Sequence, residues 1–235
     1  MPPELPKTDF RRVRRYLADE DFALNEGPAF VPLGRISKDV WEEITGLPTD
    51  VAIRTTDYKP NAVSGARRIA ASWLGAYEPL DDSPFHWQSM AVYENSNSSL
   101  FNAVSGWYRV AGTSLRVAVD DLLLGLYFQS QPDKLDEFRQ IVHEAGRSPQ
   151  FREMRTFLFE RTGDSMFENA GAYASLYYDC LSKYVHRIAD GLLWGSNGPI
   201  FENEAFEQWW AEYQRTDDVL RCAFEIVRGP LDGQH

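Results

Sequence analysis

The segment AGAYASLYYDCLSKYVHRIAD, Ala170 to Asp190, reads as one helix with two separable faces. A helix of that kind has to bury one side against other helices. At ~100° per residue, Tyr173, Leu176, Tyr177, Cys180, Leu181, Tyr184 and Ile188 form a single apolar stripe. Ser175, Asp179, Ser182 and His186 fall together on the opposite side, the chain's only helix-borne cluster of Ser, Asp and His.

The same periodicity runs through most of the chain beyond residue 60. Ala62, Ala66, Ile69, Ala70 and Trp73 predict a helix over Asn61–Tyr77, closed by the turn EPLDDSPF. From Ser98 to Phe128, Phe101, Val104, Tyr108, Ala111, Leu115, Ala118, Leu122 and Leu126 recur at three and four residues, as one long bundle seam would. Beside it runs a polar stripe of Asn102, Arg109, Thr113, Arg116 and Asp120. Further helices are expected from Pro132 to Ala145, over Gln150–Glu160 before Gly163, and from Asn203 to Arg228 before Gly229–Pro230. Alternating strand patterns are absent. The expected fold class is therefore all-α, an up-and-down helical bundle over residues 61–235. Residues 1–60, broken by Pro and Gly, are expected to form an irregular arm with short helices at Asp9–Glu20 and Ser37–Thr45.

Composition narrows the function. The formal net charge of −11 disfavours broad contact with nucleic acid, which requires clustered Lys and Arg. Arg11, Arg12, Arg14 and Arg15 form one dense basic group, read as a solvated helix face or as a contact for an acidic partner. No apolar run approaches the ~20 residues of a membrane span, and no secretory signal is expected. Cys180 and Cys222 are expected as buried, reduced thiols, which places the chain in the cytoplasm. Asp81, Asp82 and His86 read as a turn rather than as ligands, so neither a metal nor a cofactor is expected.

The motif Gly106-Trp107-Tyr108-Arg109, followed by Leu115-Arg116 and Asp120, resembles the first long helix of bacterial HEPN-like helical bundles. YYDCLSKYVHR, Tyr177 to Arg187, is similar to their Leu-Ser-x-aromatic-x-His helix, and Ser196–Trp210 is a weaker match. The resemblance implies a HEPN-like bundle related to abortive-infection and toxin-like proteins. Active members are metal-independent ribonucleases with an Arg and a His on one helix, with four to six residues between them. The His moves a proton and the Arg stabilises the charged phosphorane. Here the matching positions before His186 hold Asp179, Cys180 and Leu181, so the catalytic cation is missing from that helix.

The sequence therefore reads as a non-catalytic accessory or defence-related module. It would bind a protein partner or small ligand through a polar seam of Arg109, Arg116, Asp120, Asp179, Ser182 and His186. The competing reading is an endoribonuclease with a remodelled site, in which His186 and Arg116 would be catalytic. A third is a homodimer packed across a two-fold axis. The seam reading requires that the stripe of Arg109 and Arg116 lie against that of Asp179, Ser182 and His186.

Overall fold

In a computed structural model, the structure describes residues 38–75, 84–144, 148–185, 199 and 201–228. The chain divides into two compact units, Met1–Glu43 and Ile44–His235. Of the first, the described residues 38–43 are helical. Every regular element among the described residues is a helix, and the chain folds as an all-α helical bundle.

The elements are α1 (Lys38–Tyr58), α2 (Pro60–Gly75), α3 (Pro84–Val104), α4 (Tyr108–Gln129), α5 (Leu135–Glu144) and α6 (Phe151–Thr162). After them come the short helix α7 (Ala172–Ser175), a π-helical segment (Leu176–Leu181), α8 (Ser182–Val185) and α9 (Asn203–Arg228). Single 3-10 turns precede α5, at Pro132–Lys134, and α7, at Ser165–Phe167. Helix α9 spans the residues its periodicity predicts, and α6 ends at Gly163, which takes a left-handed φ of 68°. Helix α1 departs from expectation: it runs through Gly46 and Pro48 instead of stopping at Thr45. A proline deletes one backbone donor, but the bonds on either side can continue a helix whose face is held by packing, as Val51 and Thr55 are here. The expected helix at Asp9–Glu20 and the basic group Arg11–Arg15 lie outside the described residues.

The seam predicted from Ser98 to Phe128 is two helices rather than one. Gly106 takes φ 81°, and its N–H bonds the Ala103 carbonyl while that of Trp107 bonds the Asn102 carbonyl. This pair of bonds around a left-handed glycine ends α3 and reverses the chain. The two helices then run antiparallel. Asn95 donates to Asp121 at 2.9 Å and Ser98 pairs with Ser114 at 3.3 Å, so positions move apart along the two helices in opposite directions. Phe101, expected in the seam, is 72% exposed because it lies on the outer side of α3. Asn102, expected in the α4 polar stripe, belongs to α3 and bonds the carbonyl of Ser98.

Helix α4 is the centre of the bundle, with α3, α6, the π-helical segment, α8 and α9 all packed on it. Accordingly it is buried on several sides, through Ala111, Leu115, Ala118, Val119, Leu122, Leu123, Leu126 and Phe128. Large aromatics tie the outer helices inward, and each polar end finds a partner. Trp73 donates to Asp217 (2.8 Å), Trp209 to Ser99 (2.9 Å), Tyr213 to the Ala66 carbonyl (3.0 Å) and Tyr173 to the Val119 carbonyl (2.8 Å). No described helix is long and apolar enough to cross a membrane. Both cysteines are free. Cys180 is half-buried, whereas Cys222, expected inside, is exposed on the outer side of α9.

Candidate functional site

The polar stripe of α4 faces the stretch from Leu176 to Val185, so the two elements expected to form a seam are in contact. Arg109, Thr113, Arg116 and Asp120 are all half-buried along it. The partners differ from those the sequence suggests. Arg109 Nε donates to the backbone carbonyl of Tyr184 at 3.0 Å, a cation placed on one of the last described carbonyls of α8. Arg116 Nη2 donates to the Tyr177 hydroxyl at 3.0 Å, and that hydroxyl donates onward to Asp120 Oδ2 at 3.1 Å.

Tyr177 is thus the organising side chain of the seam. The Arg116 guanidinium carbon sits 4.3 Å from its ring centroid on one face. Phe151 stacks at 3.8 Å and 13°. Arg116 and Asp120, one helical turn apart, form no ion pair; the tyrosine hydroxyl links them instead. Arg116 Nη1 is buried and has no partner among the described residues.

Tyr177 and Tyr184, which share the apolar stripe read from the sequence, both reach α4. Among the described residues this stretch is not uniformly α: Leu176–Leu181 form a π turn with the wider i→i+5 spacing. Ser182 marks the change, its hydroxyl donating to the Tyr177 carbonyl five residues back at 2.9 Å. Ser182 therefore serves its own helix. Asp179, assigned to the seam from the α-helical wheel, is exposed and makes no contact with Arg109 or Arg116. His186, Arg187, Ile188 and the Asp81–Asp82 turn lie outside the described residues. Of the six candidate residues, the structure places Arg109, Arg116 and Asp120 at the seam, while Ser182 bonds within its own helix and Asp179 is exposed.

Tyr184 lies across Gly112 of α4 and is buried. Its hydroxyl hydrogen-bonds Glu212 of α9, which also pairs with Lys183 and accepts from Gln208 at 3.1 Å. Burial, then the Glu212 charge, pushes the Tyr184 hydroxyl far up, so it stays a donor. Tyr177, Tyr184 and Glu212 were not singled out in the sequence as site residues. The available signal was the seven-residue spacing of the two tyrosines on a buried stripe, since a buried phenol needs a polar partner.

Two neighbouring carboxyls have high proton affinity. Burial pushes Asp120 up to about 6 from the ordinary 3.8, partly offset by the Tyr177 hydrogen bond and the Arg116 charge. Asp121 also rises to about 6, through burial and then the charges of Asp120 and Glu94. Because the folded value exceeds the unfolded one, the folded protein binds more protons between about pH 4 and 6. The stability this contributes is full below that window and is lost as pH rises through 6. For Asp120→Asn, unfolding free energy relative to the parent is expected to rise by about 1–2 kcal/mol between pH 4.5 and 7.5, after discounting for partial exposure. Urea unfolding of both proteins at the two pH values measures it; a difference independent of pH would mean Asp120 titrates normally.

No group of His, Cys, Asp and Glu among the described residues is arranged to hold a metal ion. An open cleft of about 500 Å³ lies elsewhere, between the end of α4 and α6, lined by Tyr127, Lys134, Arg152, Glu153 and Phe157 among others. Comparison with protein-family models, with curated proteins and with solved structures found no match for the chain.

Proposed function

We propose that the chain is a non-catalytic, HEPN-like helical module of bacterial accessory or defence type. It acts in the cytoplasm and binds a partner or small ligand through the seam between α4 and the Leu176–Val185 stretch. One observation supports this reading: Arg109, Arg116 and Asp120 line one partly exposed polar stripe, where Arg116 is held by a neutral tyrosine hydroxyl rather than by a carboxylate. A guanidinium so placed has donor capacity to spare for recognition. Arg109 is committed to the Tyr184 carbonyl, and no arginine precedes His186 in the sequence at the ribonuclease spacing.

The test is an RNA-cleavage assay with the purified full chain, single-stranded RNA and a chelator. No cleavage above background is expected. Robust cleavage abolished by both His186→Ala and Arg116→Ala, in folded proteins, would replace this reading with the endoribonuclease one.

A further inference from the structure

Helix α4 is buried around most of its circumference and open on one side. At ~100° per residue, Val110, Val117 and Leu124 fall within about 40° of one another on that side. Val110 is 47% exposed, Val117 41%, and Leu124 is half-buried. The contacts Ser98–Ser114 and Asn95–Asp121 fix the level of α3 beside α4. One turn from Ser98 toward Gly106, the exposed ring of Phe101 stands level with Val110. Glu94 stands level with Asp121, and its charge helps push that carboxyl up. The result is an apolar strip along the open side of the α3–α4 hairpin. Arg109 stands at one end, and Glu94 and Asp121 lie past the midpoint.

We infer that this strip is the interface of a homodimer, in which the α4 helices of two copies cross antiparallel with Val117 at the two-fold axis. The order of charges selects both the occupant and its direction. About an axis at Val117, Val110 meets Leu124 of the partner subunit. Arg109 then falls within one helical turn of the partner subunit's Asp121, and Glu94 of the partner subunit lies at that same level. Arg109 holds the Tyr184 carbonyl through Nε, a bond that leaves its two terminal nitrogens unused. Opposite charges thus flank an apolar centre, and each contact occurs twice. A parallel two-fold would set Asp121 on its own copy and Glu94 on its own copy, which like-charge repulsion opposes. An anionic membrane surface would require Lys and Arg around the strip, and two carboxylates border it instead. Arg116 and Asp120 stay out of this balance, because Tyr177 already joins them.

The experiment is sedimentation equilibrium of the full chain across the micromolar range. The parent mass is expected to climb with concentration from 26.9 kDa toward twice that value. Val117→Glu should weaken association about ten-fold or more, because a residue on the axis meets its own copy and the change sets two carboxylates together. Helix content and melting temperature of the monomer should stay those of the parent, since the side chain is on the surface. Oxidative cross-linking in a Cys180→Ser, Cys222→Ser background tests the direction, and serves alone should Val117→Glu misfold. Val117→Cys should yield a disulfide-linked dimer. Val110→Cys should not, because the two copies of position 110 stand about 20 Å apart in an antiparallel pair, far beyond disulfide reach. A monomer at every concentration would leave the strip to a different partner and overturn the inference. So would dimerisation unchanged in folded Val117→Glu, or cross-linking at position 110 as efficient as at 117. None of these outcomes bears on RNA cleavage, so the dimer can fail while the non-catalytic reading stands.

Discussion

Trp209→Ala is expected to cost about 3–5 kcal/mol of folding stability, the range for truncating a fully buried tryptophan. The ring is 0% exposed, with the Phe206 and Tyr213 rings each 5.3 Å away centroid to centroid. Its indole N–H donates to Ser99 Oγ at 2.9 Å. Truncation removes the packing of α9 and also strips a partner from a hydroxyl that is 0% exposed. Trp209→Phe keeps most of the volume and should lose clearly less. Denaturant midpoints of the two variants separate packing from hydrogen bonding. A loss below about 1 kcal/mol for Trp209→Ala would mean that α9 does not depend on this ring.

Gly112→Ala is expected to destabilise the protein by about 1–3 kcal/mol, the range for overpacking a filled core. A methyl group there would stand 2.3 Å from Cγ of Tyr184, well inside contact distance. The ring cannot easily step aside. It is 2% exposed, its hydroxyl is bonded to Glu212, and its carbonyl accepts from Arg109. Gly46, where an added Cβ meets nothing within 4 Å, provides a surface comparison. The decisive measurement is a double-mutant cycle. In a Tyr184→Ala background the cost of Gly112→Ala should largely vanish, since the three atoms nearest the added methyl all belong to that ring. An equal cost in both backgrounds would place the strain elsewhere.

Position 112 shows why a sequence can announce helices without disclosing their partners. Within the GTSLRVA run, Gly112 reads as a tolerated weak point of a helix. Only the crossing of α8 over it shows that a side chain is excluded there.

The helix class, the span of α9, the end of α6 at Gly163 and the inward face of α4 follow from local chemistry. Apolar spacing near 3.6 residues and the left-handed tolerance of glycine act over one or two turns and need no knowledge of distant residues. Three features depended on contacts distant in sequence. The break at Gly106 is hidden because apolar residues keep a helical spacing across it, although the chain reverses there. The π turn at Leu176–Leu181 is invisible to a wheel drawn at a fixed angle, although that wheel already sets Tyr177 on the buried stripe and Asp179 opposite it. The partner of Arg116 was the third. On the sequence alone Asp120, four residues on, is the natural ion-pair partner. The fold inserts Tyr177 between them, because a hydroxyl from a facing helix can accept from one charge and donate to the other, and which helix faces α4 is decided by packing.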